Sequence, residues 1–167
     1  MIFVTTGTQA PFNRLIRAMD QIAQELDGEE IFAQASGVDF DVKRLKIVEF
    51  LDPAKYHRIF TEARLIVSHA GMGTIISALK ERKRIIIVPR VAALGEHRND
   101  HQMATAKKID ELGYMPVVYD VDELKDKVFR LIDVSGPRLS PELGELASRS
   151  LITSLQDFIK KDKSKVK

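Results

Sequence analysis

Two short segments without any polar residue constrain the fold of this chain most strongly. Leu65-Ile66-Val67 and Ile85-Ile86-Ile87-Val88 are apolar throughout, so a strand formed by either one must be covered on both faces. Four further β-rich runs occur along the chain, at residues 2–6, 31–35, 46–50 and 115–119. Helical patterns separate these runs, and such alternation is typical of an α/β fold. The sequence therefore predicts a doubly wound, mostly parallel six-stranded sheet with helices on both faces.

The predicted helices are marked by apolar periodicity and by their end signals. Over residues 12–26, apolar side chains recur on one helical face. Asp52 precedes Pro53, the order expected of an N-cap and a first helical residue, and this helix should continue to residue 63. Three more helices are predicted, at residues 73–82, 99–112 and 122–133.

Length and composition favour one globular domain and exclude several classes of function. The chain has 167 residues, 44% of them hydrophobic and 30% charged, which suits a single core. A net charge of +2 does not indicate a nucleic-acid partner, and the lack of cysteine excludes disulfides and thiolate chemistry. The apolar runs are far shorter than the roughly 20 residues that a membrane span needs. We therefore expect a cytoplasmic protein.

The chain divides into two predicted parts of the same domain. Residues 1–135 carry the alternating strands and helices, which are of Rossmann-like type, and residues 136–167 carry an amphipathic helix and a basic tail. That helix covers about residues 141–161. Its apolar face most simply packs on the domain's own sheet, with contact to a partner or a membrane as the alternative. Five of the last eight residues are lysine, which suits solvent, anionic lipid or an acidic partner.

Polar, glycine-containing turns follow two strands that the predicted topology brings together. In a doubly wound sheet, the first and fourth strands lie side by side where the winding reverses, and ligands bind beyond their carboxyl ends. The first strand runs into Thr6-Gly7-Thr8-Gln9, and the fourth into Ser68-His69-Ala70-Gly71-Met72-Gly73. Both turns should therefore border one cleft.

The second of these turns has the features of a phosphate site. Gly71 and Gly73 allow close approach of the backbone, and the helix that follows presents unpaired N–H groups and a hydroxyl on Thr74. A tight turn without a ligand is the commoner meaning of so short a motif. Ile76 stands where the dinucleotide fingerprint has a small residue, and the Gly-Lys-Ser/Thr of the ATP-type loop is absent. An adenine dinucleotide or ATP is therefore disfavoured.

A second polar segment, residues 95–102, opens a later helix. Asp100 and Gln102 can together donate hydrogen bonds to vicinal sugar hydroxyls and accept from them, while Asn99 or Asp100 can also cap the helix. The segment also contains four side chains of metal-ligand type: Glu96, His97, Asp100 and His101. The junction between loop and helix divides this set, and neither cysteine nor a sustained ligand motif accompanies it. We therefore predict no metal site.

Two basic side chains near the predicted cleft have alternative roles. His69 ends a strand beside the glycine turn, where it is either a hydrogen-bonded structural group or a phosphate contact. An ordinary histidine changes its charge near neutral pH, and in the charged form it complements phosphate. Arg14, near the start of the first helix, faces either the cleft or water.

Several stretches, taken in order, resemble one known family. They are Phe3-Val4-Thr5-Thr6-Gly7-Thr8, Pro11-Phe12-Asn13-Arg14-Leu15-Ile16, Ser68-His69-Ala70-Gly71-Met72-Gly73-Thr74, Val88-Pro89-Arg90, Gly95-Glu96-His97 and Asp100-His101-Gln102. Over about residues 1–124 the chain resembles the C-terminal half of glycosyltransferase family 28. It is similar to the small bacterial glycosyltransferase subunits of exopolysaccharide and capsule assembly. It is also similar to the catalytic subunit of the eukaryotic dolichol-linked UDP-N-acetylglucosamine transferase.

The resemblance implies the donor half of a GT-B glycosyltransferase, which moves a hexose or N-acetylhexosamine from a UDP-sugar to a lipid-linked acceptor. A separate membrane-anchored subunit would supply the acceptor half and recruit the chain to the inner face of the membrane. The UDP-sugar is a substrate, and neither a tightly bound cofactor nor a metal is implied. The implied donor-binding residues are Gly7, Thr8, Gln9, His69, Gly71, Met72, Gly73, Thr74, Ser77, Glu96, His97, Asp100, His101 and Gln102. The general base is unassigned, and its candidates are His69, Glu96 and His97.

Ser77 departs from the family pattern, in which Asp or Glu commonly binds the ribose hydroxyls from this helical position. Serine can still hydrogen-bond ribose but loses the strength that a carboxylate adds. This departure modestly favours an alternative, a non-catalytic enhancer or nucleotide-sugar-binding module that activates a partner transferase. A free-standing sugar-nucleotide enzyme such as an epimerase is disfavoured, because half a cleft leaves the reacting sugar in water.

Overall fold

The computed structural model of the chain describes residues 1–133 and residue 153. Five strands form one parallel sheet: β1 (Ile2–Thr5), β2 (Ile31–Gln34), β3 (Lys46–Val48), β4 (Leu65–His69) and β5 (Ile85–Val88). Their order across the sheet is β3-β2-β1-β4-β5, and every pairing is parallel. The winding therefore reverses between β1 and β4, which confirms the predicted doubly wound topology.

Within residues 1–133, five α-helices connect the strands or follow them: α1 (Asn13–Glu25), α2 (Pro53–Glu62), α3 (Met72–Lys80), α4 (His101–Glu111) and α5 (Leu124–Asp133). The start of α2 is as predicted, because the Asp52 side chain accepts a hydrogen bond of 2.9 Å from the N–H of Lys55 and Pro53 is the first helical residue. Short 3-10 helices cover Ala92–Leu94 and Val121–Glu123. The second of these precedes α5, so Asp120 takes the capping role predicted for Asp122.

In the part of the chain that the structure describes, the sheet has five strands rather than the predicted six. Residues 115–119 make one isolated parallel bridge, between Ile87 and Val117. The N–H of Ile87 donates to the Pro116 carbonyl over 3.0 Å, and the N–H of Val118 donates to the Ile87 carbonyl over 2.8 Å. The next bond on either side would need an N–H from Pro116 or Pro89, and proline has none. Two prolines therefore limit this pairing to one bridge.

Alternate strand residues supply two hydrophobic cores, one on each face of the sheet. One core is formed with α1 and α5 and takes its strand residues from Ile2, Val4, Ile31, Ala33, Leu65, Val67, Ile86 and Val88. The other is formed with α2, α3 and α4 and takes its strand residues from Phe3, Ile66, Ile85 and Ile87. Both β4 and β5 are thus covered on both faces, as their apolar sequences predict.

The predicted helix over residues 141–161, the domain boundary after residue 135 and the lysine tail lie outside the described residues, apart from Thr153. Within the described part of the chain, every helix is too short or too polar to cross a membrane.

Candidate functional site

A cleft of about 420 Å³ opens beyond the carboxyl ends of β1 and β4. The residues that line it are Gly7, Thr8, Gln9, His69, Ala70, Gly71, Met72, Gly73, Thr74, His97, His101, Gln102 and Thr105. The two turns predicted to converge therefore do so, and the start of α4 joins them. Ala70 and Thr105 were not anticipated from the sequence. Ser77, Glu96 and Asp100 were predicted as site residues, but they lie outside this lining.

The imidazole of His69 lies between two glycines, one from each turn. A Cβ added to Gly7 would lie 3.0 Å from Cε1 of His69, and one added to Gly71 would lie 2.7 Å from the same atom. Gly7 also has a φ of +72°, a conformation that side chains disfavour. Glycine is thus required at both positions for the ring to stand at the junction of the turns.

His69 is neutral at pH 7 in the free protein. Burial, followed by the positive charge of Arg90, lowers the pKa of His69 from 6.5 to about 4. Nδ1 lies 3.3 Å from the carbonyl oxygen of Thr5, which can only accept, so Nδ1 carries the proton. The expectation that this histidine changes its charge near neutral pH is therefore wrong for the free protein.

The N-terminus of α3 faces the cleft with its first backbone N–H groups. Gly71 is the N-cap and makes no side-chain capping bond, while Met72, Gly73 and Thr74 form the first turn. A Cβ on Gly73 would meet no atom within 4 Å, so a ligand can approach the backbone there. Together with the helix dipole, these N–H groups suit an anion such as a diphosphate.

Glu96 points away from the cleft and forms a bidentate ion pair with Arg14. Nε of Arg14 lies 2.7 Å from Oε1 of Glu96, and Nη2 lies 2.9 Å from Oε2. Oε2 also accepts a 2.9 Å hydrogen bond from the N–H of Val91, and Arg14 donates to the carbonyl of Pro89. Glu96 and Arg14 thus stabilise the loop that follows β5. The sequence left open whether Arg14 faces the cleft or water, and in the structure its side chain instead forms an ion pair with Glu96.

Asp100 fastens the same loop, because its Oδ1 accepts a 3.0 Å hydrogen bond from the N–H of Ala92. Asp100 is the N-cap residue of α4 but makes no side-chain capping bond, and Oδ1 of Asn99 accepts a 3.3 Å hydrogen bond from the N–H of His101. These bonds hold residues 95–100 in a loop, which explains why α4 begins at His101 and not at the predicted residue 99.

His97, His101 and Gln102 line the cleft on the side of α4. Nδ1 of His97 lies 3.1 Å from both the carbonyl and the side-chain oxygen of Asn99, and 3.4 Å from the backbone nitrogen of the same residue. Oε1 of Gln102 accepts a 3.2 Å bond from the N–H of Arg90. Its NH₂ group is consequently the end that remains for a ligand.

Arg90 is the residue near the cleft to which sequence reasoning gave no role. Its side chain is 2% exposed, and its Nη2 donates to the carbonyl oxygens of Thr6, over 2.8 Å, and of Ala10. The guanidinium also lies 5.0 Å from the centre of the Phe12 ring. A charged residue directly after an apolar strand and Pro89 is the sequence signal that could have identified it.

Among residues 1–133 and 153, no three His, Cys, Asp or Glu side chains come together in a way that could hold a metal ion. That the chain has no metal site stays a prediction from the sequence.

The chain is similar in sequence to the UDP-N-acetylglucosamine transferase subunit ALG13 of Eremothecium gossypii, with 31% identity over 135 residues. The match covers 78% of this chain and 63% of that protein, so it spans less than two thirds of the relative's length.

Two solved structures show the same fold. MurG from Acinetobacter baumannii has a TM-score of 0.58 at 18% identity, and the match covers 79% of this chain and 41% of MurG. An ALG13 solution structure has a TM-score of 0.53 at 21% identity, and the match covers 87% of this chain and 93% of that one. Residues 1–137 match the glycosyltransferase family 28 C-terminal domain, and the chain belongs to this family.

Proposed function

We propose that the chain is the donor-binding and catalytic subunit of a two-component GT-B glycosyltransferase. It moves a hexose or N-acetylhexosamine from a UDP-sugar to a lipid-linked acceptor in surface polysaccharide or glycan assembly. The observation that carries this proposal is the cleft at the reversal between β1 and β4, into which the N-terminus of α3 opens. The family match and the name of the Eremothecium relative support the choice of a sugar nucleotide as ligand.

In the proposed complex, the diphosphate of the UDP-sugar binds at the turn from Gly71 to Thr74. The N–H groups and dipole of α3 stabilise its negative charge without a metal or a tightly bound cofactor. The sugar faces His97, His101 and Gln102, which border the same cleft. The NH₂ group of Gln102 donates to a sugar oxygen.

A partner subunit completes the active site. The Eremothecium relative is named as a subunit, and the match to MurG covers only 41% of that longer chain. We propose that a membrane-anchored partner supplies the acceptor-binding half and recruits this chain to the cytoplasmic face of the membrane. No nucleic acid takes part.

Transfer proceeds with inversion at the anomeric carbon. A base removes the proton of the acceptor hydroxyl, the hydroxyl oxygen bonds to the anomeric carbon, and the bond from that carbon to the β-phosphate oxygen breaks to release UDP. Two of the three candidate bases are poorly suited, because His69 has a pKa near 4 and Glu96 is ion-paired with Arg14. The base is therefore His97 or a group on the partner.

Calorimetry with UDP and a panel of UDP-sugars tests donor binding, first with the chain alone and then with the co-expressed product of the neighbouring gene. We expect UDP and one UDP-sugar to bind, and sugar transfer to require both proteins. If no nucleotide binds even with the partner present, the donor-site proposal is wrong.

The second candidate function is a non-catalytic, nucleotide-sugar-binding enhancer of a partner transferase. Ser77 in place of an acid and the ion pair of Glu96 favour it, since both remove a carboxylate from the donor site. Transfer assays separate the two functions: an enhancer raises a rate that the partner shows alone, whereas a catalytic subunit is required for any transfer.

A further inference from the structure

We infer that Arg90 is a positioning residue for an anionic ligand: it holds the loop of residues 7–9 at the cleft and gives the cleft floor an excess of positive charge. The ligand group that it serves is the diphosphate, so this inference rests on the proposed function. Arg90 is not on the cleft surface and acts through the elements that are.

The anchoring part of the inference comes from three hydrogen bonds. The Arg90 guanidinium donates to the carbonyl oxygens of Thr6 and Ala10, which stand immediately before and after the segment that lines the cleft. The N–H of Arg90 donates to Gln102, at the start of α4. One side chain and its own backbone thereby connect the ends of β1 and β5 with the start of α4. The cleft residues that follow β1 and those of α4 border the same cleft as the Gly71–Thr74 turn, where the diphosphate is proposed to bind.

The electrostatic part comes from the charges of Arg90, Arg14 and Glu96. Arg14 and Arg90 supply two guanidinium groups, while Glu96 is the carboxylate beside them and is bonded to Arg14. Within the described residues, no carboxylate oxygen pairs directly with Arg90, and its buried Nε has no hydrogen-bond partner. Glu96 is thus one carboxylate for two guanidinium groups, and a buried cation without a hydrogen-bonded anion of its own is costly. The excess charge therefore suits a ligand with negative charge.

The same charge already acts on the cleft in the free protein, because Arg90 is the second cause, after burial, of the low pKa of His69. His69 is consequently neutral, and Arg90 is the fixed cation of this part of the site. A diphosphate in the cleft would meet a neutral ring with a buried guanidinium behind it.

The variants Arg90→Met and Arg90→Lys separate the anchoring effect of Arg90 from its electrostatic effect. Arg17→Met is the matched control, because the side chain of Arg17 is 53% exposed and lies outside the cleft lining. The probes are UDP, inorganic diphosphate and uridine, measured by calorimetry. We expect Arg90→Met to weaken the binding of UDP and of diphosphate at least tenfold, and the binding of uridine less than twofold. Arg90→Lys keeps the charge but not the two-carbonyl geometry, so we expect a loss of about threefold. Arg17→Met should change none of the three.

Amide hydrogen exchange of residues 7–9 in the ligand-free protein gives a readout that does not depend on the proposed function. We expect exchange to accelerate at least tenfold in Arg90→Met and less in Arg90→Lys. If wild-type protein binds neither UDP nor diphosphate, the proposed function fails, and the exchange rates still decide whether Arg90 anchors the loop.

The inference is overturned if Arg90→Met folds, binds UDP within twofold of wild type and leaves the exchange of residues 7–9 unchanged. If Arg90→Met does not fold, two other measurements test the inference. They are the UDP affinity of Arg90→Lys and the position of the Arg90 Nε–H resonance in wild-type protein with and without UDP. A shift of that resonance on addition of UDP supports the inference, and an unchanged resonance together with unchanged affinity in Arg90→Lys contradicts it.

Discussion

The imidazole of His69 lies directly against the backbone of Gly71 and leaves no room for a side chain between them. A Cβ on Gly71 would stand 2.7 Å from Cε1 of His69, closer than such atoms approach in proteins. Gly71 has a φ of −87°, which any residue can adopt. Steric exclusion by one ring, and not backbone conformation, thus requires glycine at the N-cap of α3.

Substitution of Gly71 by alanine should displace His69 or the turn. We expect Gly71→Ala to lower the free energy of unfolding by about 1–3 kcal/mol, as overpacking does, and to abolish UDP binding. Gly73→Ala is the matched control for stability, because its Cβ would enter open space. It should unfold at an equal or higher temperature, since alanine favours a helix by roughly 0.5–1 kcal/mol over glycine. Thermal unfolding by circular dichroism and calorimetry with UDP check both variants. Equal stability of the two would contradict the packing argument.

The low pKa of His69 should make stability depend on pH. As the pH falls, the unfolded chain protonates the imidazole of His69 near pH 6.5, whereas the folded protein protonates it only once the pH reaches about 4. The free energy of unfolding should therefore fall as the pH drops from 6.5 to 4, by up to about 3 kcal/mol, and His69 should add no further loss below that range. His69→Asn keeps a donor for the Thr5 carbonyl but does not titrate, so its stability curve should be flatter over this window.

Urea unfolding at a series of pH values measures this difference. His57 is the matched control, because its side chain is 71% exposed and it lies on α2, outside the cleft lining. The curve of His57→Asn should run parallel to that of wild type. A His69→Asn curve that also runs parallel to wild type would show that His69 titrates normally.

Local rules explain which parts of the fold could be predicted from the sequence. The Asp52-Pro53 cap and the apolar runs of β4 and β5 are encoded within a few residues, and the strand order is the commonest one for a doubly wound sheet. The missing sixth strand depends instead on the register between two segments, which sets Pro89 and Pro116 against the positions where N–H donors are needed. Register is not visible in the periodicity of either segment alone.

The location of the candidate site could be predicted from the topology of the sheet, but the contacts between its side chains could not. The convergence of the two turns follows from the strand order, and the structure shows it. The pair of Arg14 with Glu96 joins residues 82 positions apart, and the bonds of Arg90 to Thr6 and Ala10 join residues 84 and 80 positions apart. Such contacts depend on rotamers in the folded state, and so Glu96 was assigned to the cleft while Arg90 was given no role.

The Arg14–Glu96 pair provides a test of whether Glu96 fastens a loop or acts as a base. The side chains are 20% and 9% exposed, so breaking the pair should lower the free energy of unfolding by about 2 kcal/mol. We expect Glu96→Gln and Arg14→Met each to destabilise the fold, and the double variant to lose less than the sum of both. A catalytic base would behave differently: Glu96→Gln would abolish transfer without any change in unfolding temperature.

An acid at position 77 should strengthen nucleotide binding if ribose lies beside α3. Ser77→Glu restores the residue type of the family pattern, and a charged hydrogen bond to the ribose should raise affinity for UDP about five- to tenfold. Affinity for 2′-deoxy-UDP should rise less, since one hydroxyl is missing. Lys80→Glu adds the same acid to the exposed end of α3 and is the control. Equal gains for both nucleotides would place the ribose elsewhere.

The division into two cores has a consequence for the order in which the chain can assemble during synthesis. On one face, α2, α3 and α4 follow one another along the chain, so their core, apart from Phe3 of β1, draws on residues 51–117. On the other face, α1 packs beside α5, and the core reaches from Ile2 to Val128. That face cannot close until Val128 has left the ribosome, and the apolar side of α1 has no native cover from α5 until then.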